Sequence, residues 1–337
     1  MRLPYFDYAT TTSLPEVLSL LNEYQEDAVL MGGGTDLIPT LKRRLLKPRL
    51  VIDLARMPGL RYIRMDGPMV KIGAAATLDD VLTSDSARSY FPALIQAVAS
   101  IGAVSIQHHR ATLVGNLMLN TRCRYYNQSQ FWRSGKAPCF KAGGQTCFAE
   151  ERGEKCRSVY QSDGGAAILS LAAMVHVQSL NGDRIISAAN LFTGQGEKPF
   201  KLEPSEMVTE ILLPIPVGAA AGSYQKLRFR SAIDYPLVGA AATVEFNKGK
   251  TRIESARLAL TGISSAPLLI RQAGVWLVQN YNPAQGPEAA QQVVAEAARL
   301  AMAETQLYPV DNIGATAAYR QKMIPVMARR AITAALK

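Results

Sequence analysis

All four cysteines of the 337-residue chain lie within one stretch of sequence. This grouping restricts the kinds of site and cross-link that the stretch can form. Their positions are Cys123, Cys139, Cys147 and Cys156. The surrounding segment 122–157 holds eight lysines and arginines against three glutamates. Thiolates are soft metal ligands, and nearby cations would offset the negative charge of a metal–thiolate centre. The pattern therefore predicts a bound metal centre in this segment.

Four interpretations of these cysteines remain open from the residues alone. An iron–sulfur cluster needs four thiolates and tolerates varied spacing. Structural zinc sites usually pair their ligands roughly two to four residues apart, and no two of these cysteines are that close. Two disulfides need an oxidising compartment, and free cysteines rarely gather in one polar, basic loop. A cluster is favoured over zinc, with disulfides and free thiols as the remaining alternatives.

Composition and charge narrow the class of protein. The chain is 48% hydrophobic and 19% charged, and its length predicts about two or three domains. Its apolar runs fall well short of the roughly 18 residues that would indicate a membrane span. The N-terminus lacks the basic start and apolar core of a secretory signal, so we expect a reducing cytoplasm. The net charge of +10 indicates an acidic partner or an anionic cofactor, and its even spread along the chain argues against nucleic acid.

A strand, a glycine turn and a helix follow one another near the N-terminus. Residues 28–31 are predicted as a short buried strand, and Gly32, Gly33 and Gly34 precede a helix from Leu37. Backbone N–H groups at such a turn can face an anion. Three consecutive glycines favour close approach of a ligand, although the turn matches neither the G-x-G-x-x-G nor the P-loop pattern. The turn predicts a pyrophosphate site.

Other local signals mark helix starts. Capping boxes are predicted for Ser13 with Glu16 and for Thr77 with Asp80. Asp163 opens an apolar helix and is predicted to be its N-cap, a ligand for a hydroxyl, or both.

The second half of the chain reads as a separate α+β unit. A stretch rich in glycine and alanine at 216–222 indicates a boundary, and three strands are predicted after it, followed by helices from Pro267 onward. No nucleophile motif such as G-x-S-x-G or H-E-x-x-H is present. We therefore predict a cofactor carrier with no catalytic residue of its own.

Four short motifs together resemble one known family. They are Gly-Gly-Gly-Thr-Asp-Leu-Ile-Pro at 32–39, Ala-Thr-Leu-Val-Gly-Asn at 111–116, Ser-Asp at 162–163 and Tyr-Gln-Lys at 224–226. They resemble the FAD-binding medium subunit of the xanthine dehydrogenase (molybdenum hydroxylase) family, over nearly the full length. The resemblance implies an α+β fold with a two-part FAD-binding domain of the vanillyl-alcohol-oxidase/CO-dehydrogenase flavoprotein type. It also implies a C-terminal α+β domain with a three-stranded sheet and helices.

The resemblance also implies domain boundaries and an insertion. The FAD-binding subdomains would span 1–58 and 59–217, and the C-terminal domain 222–337. Between Asn116 and Ser162 lie 45 residues, where most family members have far fewer. The insertion is similar to one in the β subunit of 4-hydroxybenzoyl-CoA reductase that binds an additional [4Fe–4S] cluster. It implies an iron–sulfur loop at about 120–160 with the four cysteines as ligands.

The family's cofactor contacts can be placed on this sequence. The resemblance implies FAD contacts at Leu30, Met31, Gly32, Gly33, Gly34, Thr35, Asp36, Leu37, Gly102, Thr112, Gly115, Asn116, Asp163 and Lys226. The glycine turn would hold the pyrophosphate, Asp163 would bond ribityl or adenosine hydroxyls, and Lys226 would approach the isoalloxazine. Val114 stands where the family usually has glycine, so Gly115 and Asn116 are the safer phosphate contacts.

The resemblance finally implies an oxidoreductase assembly. A large subunit would carry molybdopterin and the substrate site, and a small subunit two [2Fe–2S] clusters, in a dimer of heterotrimers. In a 4-hydroxybenzoyl-CoA reductase of anaerobic aromatic degradation, ferredoxin would supply electrons through the [4Fe–4S] cluster and FAD for dehydroxylation to benzoyl-CoA. One alternative is the FAD subunit of another molybdenum hydroxylase, acting on an aldehyde, CO or an N-heterocycle. From a different class, an iron–sulfur redox sensor that binds DNA is the other alternative.

Overall fold

The computed structural model describes residues 2–305 and 308–337, and its first sheet is small and parallel. Strand β1 (Asp7–Thr10) pairs with β3 (Leu50–Asp53), which also pairs with β2 (Ala28–Met31). Helix α1 (Leu14–Tyr24) connects β1 to β2, and α2 (Leu37–Lys42) lies between β2 and β3. Strand β1 was not predicted, because its four residues show no long apolar run. Its pairing places the glycine turn after β2 at one edge of the sheet.

The second sheet is antiparallel and has five strands in the order β4-β5-β8-β6-β7. Its strands are β4 (Ile63–Asp66), β5 (Met69–Gly73), β6 (Met174–Ser179), β7 (Gly182–Ser187) and β8 (Met207–Pro214). The chain leaves this sheet after β5 and returns at β6. Six helices lie on that excursion, namely α3 (Leu78–Thr83), α4 (Asp85–Tyr90), α5 (Pro92–Ala99), α6 (Leu113–Leu117), α7 (Gln130–Ser134) and α8 (Asp163–Ser170). The cysteine segment therefore lies between α6 and α8.

The C-terminal sheet has four strands, so the prediction of three was wrong. Strands β9 (Ala219–Leu227), β10 (Val238–Phe246) and β11 (Ile253–Thr261) form the predicted antiparallel set, and β12 (Leu268–Ile270) pairs with β11. The predicted helix from Pro267 begins only at Arg271. A three-residue apolar run cannot be distinguished from a buried helix start by periodicity. Helices α9 (Arg271–Asn280), α10 (Gly286–Thr305) and α11 (Ala317–Ala335) complete the domain.

Two apolar clusters form the main core. One joins the first two sheets with their helices, and the other joins β10 and β11 with the C-terminal helices. Helices α5 and α8 also contact the C-terminal sheet, so the two domains share a packed interface beside the predicted cofactor residues. In the part of the chain that the structure describes, no helix is both long and apolar enough to cross a membrane.

One of the two predicted capping boxes is confirmed. Thr77 and Asp80 satisfy each other's backbone N–H groups at the start of α3. The box at Ser13 is wrong, because the Ser13 side chain accepts no capping hydrogen bond. The Glu16 carboxylate accepts a hydrogen bond from the Thr11 hydroxyl instead.

Candidate functional site

The glycine turn after β2 packs directly against a second loop. A Cβ atom on Gly33 would lie 1.6 Å from the carbonyl oxygen of Arg110, and one on Gly32 would lie 3.0 Å from the Thr112 hydroxyl. Gly34 has a φ of +72°, which favours glycine. The backbones of the two predicted phosphate-binding segments are therefore in contact, and only glycine allows this approach at position 33.

The second loop is fixed by its own side chains. Thr112 caps α6, since its hydroxyl accepts a hydrogen bond of 3.0 Å from the Gly115 N–H. The Asn116 side-chain oxygen accepts bonds from the Ser162 hydroxyl (2.7 Å) and the Gly164 N–H (3.1 Å). Asn116 thus ties this loop to the start of α8. Val114 is buried in the core, so its side chain lies in the apolar interior and not toward the proposed phosphate site.

Asp163 and Lys226 form a buried ion pair between the two domains. Lys226 Nζ lies 2.9 Å from one Asp163 carboxylate oxygen, and the Tyr224 hydroxyl donates to the other at 2.5 Å. Burial raises the pKa of Asp163 and lowers the pKa of Lys226, because both lose hydration. One prediction made Asp163 the N-cap of α8, and this prediction is wrong. Ser162 caps the helix instead, accepting from the Gly165 N–H.

Gly102 lies beside this pair. Lys226 Nζ also donates to the carbonyl oxygen of Ser100 at 2.9 Å, and Gly102 has a φ of +55°. The Gly102 carbonyl accepts a hydrogen bond of 3.1 Å from the N–H of Ile233 in the C-terminal domain. The predicted FAD residues therefore form two groups, one at the glycine turn and one at the Asp163–Lys226 pair. Asn116 connects them through its contacts with the start of α8.

Asp36, the last residue of the turn before α2, forms a junction that the sequence did not reveal. Its carboxylate pairs with the Arg122 guanidinium and accepts a hydrogen bond of 3.2 Å from the Tyr235 hydroxyl. Arg122 also stacks on the Tyr235 ring at 4.3 Å. The junction therefore joins the glycine turn, the residue before Cys123 and the C-terminal domain. No local motif marks Arg122 or Tyr235, since their roles depend on contacts distant in sequence.

The cysteine segment leaves the FAD-binding domain and returns to it at one point. Arg122 and Val159 exchange two backbone hydrogen bonds of 2.7 Å each. Arg133 donates to the carbonyl oxygens of Arg43 and Arg44, at 3.2 and 2.8 Å, just beyond the end of α2. The segment thus packs against the C-terminal end of the helix that begins after the glycine turn.

All four cysteines line one cavity. Its wall also includes aromatic and polar side chains, among them Tyr125, Tyr126, Phe140, Thr146, Phe148, Arg157 and Ser158. Cys156 is buried and the other three are partly exposed. Burial raises the pKa of Cys123 to about 11 and also raises that of Cys156. Within residues 2–305 and 308–337, no three His, Cys, Asp or Glu side chains are grouped as ligands of a single metal ion.

Lys141 also lines this cavity. Its ammonium donates hydrogen bonds to the Asn120 side chain (2.9 Å), the Thr121 hydroxyl (2.5 Å) and the carbonyl of Gly196 (2.5 Å). Burial lowers its pKa to about 8, against the opposing influence of the Cys156 thiolate and of Glu197. None of the salt bridges among the described residues includes it. A cavity lined by four thiols and by the cations Lys141 and Arg157 is suited to an anionic metal–thiolate centre.

Comparison with known proteins places this arrangement in a family. Residues 4–216 match the model described as the FAD binding domain in molybdopterin dehydrogenase, and residues 222–335 match the CO dehydrogenase flavoprotein C-terminal domain. The carbon monoxide dehydrogenase medium chain of Afipia carboxidovorans is 28% identical over 97% of this chain and 95% of its own.

Two further proteins support the same relationship. The aldehyde oxidoreductase FAD-binding subunit PaoB of Escherichia coli is 29% identical over 75% of this chain and 80% of its own. The solved structure of reconstituted CO dehydrogenase from Oligotropha carboxidovorans matches with a TM-score of 0.78 at 27% identity. That match covers 100% of this chain and 99% of the other.

Proposed function

The chain belongs to the family of FAD-binding subunits of molybdopterin dehydrogenases, and on this premise we propose that it carries a [4Fe–4S] cluster beside its FAD. It is the FAD-binding medium subunit of a molybdenum hydroxylase, similar to the CO dehydrogenase medium chain, with two domains of that fold. The observation that carries the proposal is the cavity that Cys123, Cys139, Cys147 and Cys156 line together with the partly buried Lys141.

The proposed FAD site uses the two groups of residues. Backbone N–H groups of the turn after β2 hold the pyrophosphate, because Gly33 lets this turn lie against the second phosphate loop. Thr112, Gly115 and Asn116 complete that end through the fixed geometry of their loop. FAD supplies the capacity to take up and release electrons singly or in pairs.

Asp163, Lys226 and Gly102 are proposed to lie at the flavin end. The buried ion pair is fixed by Tyr224 and by the Ser100 carbonyl, so its charges are already oriented before a ligand arrives. A fixed lysine ammonium beside the isoalloxazine would favour a negatively charged, reduced flavin. The division of the FAD-binding part at residues 58 and 59 belongs to this proposal too.

A cluster fits the cysteine cavity better than a single zinc ion does. Zinc bonds of about 2.3 Å would bring four sulfurs within roughly 4 Å of each other, and the cysteines are not grouped as ligands of a single ion. In a [4Fe–4S] cluster each thiolate binds a different iron, so the sulfurs lie further apart around a shared centre.

The reaction of the complex would be decided by a partner chain. The relatives named above are subunits of a carbon monoxide dehydrogenase and an aldehyde oxidoreductase, and a nicotine 6-hydroxylase medium subunit of Paenarthrobacter nicotinovorans is 27% identical. These relatives favour an oxidising molybdenum hydroxylase for CO, an aldehyde or an N-heterocycle. The second candidate, a ferredoxin-dependent 4-hydroxybenzoyl-CoA reductase, is favoured by the cysteine-bearing insertion. Both assign this chain an electron-transfer role without a substrate site.

The proposed partners are a large molybdopterin subunit and a small [2Fe–2S] subunit, in a dimer of heterotrimers. The test is to purify the native complex and to measure its subunits, flavin, iron and acid-labile sulfide. We expect one FAD and four irons per copy of this chain, in addition to the irons of the small subunit. Iron that matches the small subunit alone, with zinc at the cysteines, would contradict the cluster.

Activity assays separate the two candidates. The complex would be supplied with 4-hydroxybenzoyl-CoA and reduced ferredoxin, and in parallel with CO, aldehydes or N-heterocycles and an electron-accepting dye. Release of benzoyl-CoA would support the reductase, and dye reduction would support an oxidising hydroxylase.

A further inference from the structure

We propose that Lys141 is the built-in counter-charge of the cysteine cavity, and that its ammonium sets the reduction potential of the metal–thiolate centre. The inference rests on the proposed cluster. It assigns to Lys141 a positioning and electrostatic role that neither its sequence context nor the family relationship indicates. Three features of Lys141 support this role: the position of its ammonium, its hydrogen-bonded connection to Cys156 and the lack of a salt bridge to it among the described residues.

The position of Lys141 is fixed by backbone and by hydrogen bonds. It lies in the short 3-10 turn Phe140–Ala142 directly after Cys139. Its ammonium has three N–H donors, and three hydrogen bonds hold it, to Asn120, Thr121 and Gly196. The charge therefore cannot swing out to solvent without breaking all three, and it stays at the wall of the cavity that the four cysteines line.

A hydrogen-bonded chain connects this ammonium to one of the cysteines. Lys141 donates to the Thr121 hydroxyl, which lies 2.7 Å from the Ser158 hydroxyl. The Ser158 hydroxyl in turn lies 3.1 Å from Cys156 Sγ. The Gly196 carbonyl accepts hydrogen bonds from Thr121 and Ser158 as well as from Lys141. These groups therefore form one connected network that reaches from the ammonium to Cys156, and groups in such a network polarise one another.

The charges around Lys141 indicate what the cavity is built to hold. Two cations line it, and Arg157 pairs with Glu150, whereas Lys141 takes part in none of the salt bridges among the described residues. Glu197 acts on Lys141 only through its charge, without a salt bridge, and neutral thiols do not offset a partly buried ammonium. Four thiolates around an iron–sulfur core are anionic overall, so the loaded cavity would supply a negative charge beside the ammonium.

This arrangement has a redox consequence. Uptake of one electron from an external reductant adds a negative charge to a centre that is already anionic. A cation fixed nearby stabilises that more negative form and therefore raises the reduction potential. Loss of the cation should shift the equilibrium toward the oxidised form by at least about tenfold, which corresponds to about 59 mV for one electron.

The experiment compares charge-removing and charge-keeping variants of the native complex. Lys141→Met and Lys141→Gln remove the charge, and Lys141→Arg keeps it. Lys136→Met is the matched control, because this exposed lysine of the same segment stacks on Trp132 at 5.0 Å and does not line the four-cysteine cavity. Each protein is titrated with dithionite, and the reduced cluster is followed by electron paramagnetic resonance. Iron and FAD contents are measured on the same samples.

We expect Lys141→Met and Lys141→Gln to lower the cluster potential by at least about 59 mV, or to lose the cluster while FAD is retained. Lys141→Arg and Lys136→Met should stay close to wild type. If Lys141→Met does not fold, the potential of Lys141→Gln is the test. The glutamine amide has no charge but can still donate hydrogen bonds to Thr121 or Gly196, so this variant keeps part of the local structure. A neutral variant that keeps its iron and its potential would overturn the inference.

The failure of the proposed function has a different signature. If the wild-type cysteines hold zinc, the proposal of an iron–sulfur cluster is wrong. The zinc content of the Lys141 variants then tests whether Lys141 is the counter-charge of the metal centre. Loss of zinc in Lys141→Gln would support the role of Lys141, and full retention would overturn it. If the wild-type cysteines hold no metal, both the cluster and the inference fall.

Discussion

Gly33 should be indispensable for binding FAD, because it is where the two phosphate loops touch. In Gly33→Ala the new methyl group would lie 1.6 Å from the Arg110 carbonyl oxygen and 2.1 Å from the Arg110 carbonyl carbon. Ordinary contact begins at 3.4 Å, so the loops would have to separate by about 1.8 Å, the difference between these two distances. Both clashes are with backbone, which cannot rotate away as a flexible side chain can.

The cost in FAD affinity follows from that displacement. Hydrogen bonds from backbone N–H groups are about 2.7–3.2 Å long, and a shift of 1.8 Å breaks them. Each bond to a charged group contributes about 1.5–3 kcal/mol, so the loss of two costs about 3–6 kcal/mol. This corresponds to roughly a hundredfold to ten-thousandfold weaker FAD binding, at about 1.4 kcal/mol per factor of ten.

The assay is the binding of FAD to the deflavinated complex, followed by quenching of flavin fluorescence. Gly59→Ala is the matched control, since nothing lies within 4 Å of the added methyl group. Circular dichroism and subunit composition verify that the variant complex is folded and assembled. If folded Gly33→Ala binds FAD within about threefold of wild type, the glycine turn is not the pyrophosphate site.

Three further predictions concern separate parts of the chain. Cys139→Ser should lose the segment's iron but keep FAD, because the cysteine cavity and the glycine turn are built from different residues; iron, sulfide and flavin analysis checks this. Asp80→Asn should lower the free energy of unfolding by about 1 kcal/mol at neutral pH, because it removes the carboxylate charge that pairs with Arg61 and accepts from the Thr77 N–H. Although burial raises the pKa of Asp80, its hydrogen bonds lower it below the usual value. The stabilisation is therefore present at neutral pH and lost as pH falls through that pKa, so denaturation of variant and wild type should converge in acid. Lys226→Met should lower the free energy of unfolding by about 3 kcal/mol, because the Asp163 carboxylate stays buried without its cation. Adding Asp163→Asn should recover part of this loss, and equal stability of the single and double variants in denaturation would contradict the reasoning.

The sequence predicted most of the helices and strands, but not the contacts among the proposed site residues. Strand β2, the turn and α2 follow from a short apolar run, three glycines and a helical pattern, all of which are local signals. Strand β12 was missed because its three residues become a strand only by pairing with β11. The predicted elements depend on residues that are close in sequence, whereas the missed strand depends on contacts with residues that are distant in sequence.

The same distinction separates the predicted site residues from the missed ones. Asp163 was identified as functional, yet its carboxylate pairs with Lys226 and Tyr224, which lie more than 60 residues away. That pairing is why it does not cap its own helix. Arg122 and Tyr235 were not singled out, because their contacts with Asp36 depend on the fold. The sequence presents Lys141 as one charge of a basic segment, and only its hydrogen bonds and its place in the cavity wall show that it differs from the exposed lysines.

The cysteine segment joins the FAD-binding domain in a way that keeps the two ends of the segment together. Forty-five residues lie between Asn116 and Ser162, yet their side chains are hydrogen-bonded at 2.7 Å. The two backbone bonds between Arg122 and Val159 close the base of the insertion, so the chain re-enters α8 as if the segment were absent. The one side chain at this base that reaches the glycine turn is that of Arg122, through Asp36. The proposed cluster would therefore be added without changing how the two proposed FAD loops contact each other.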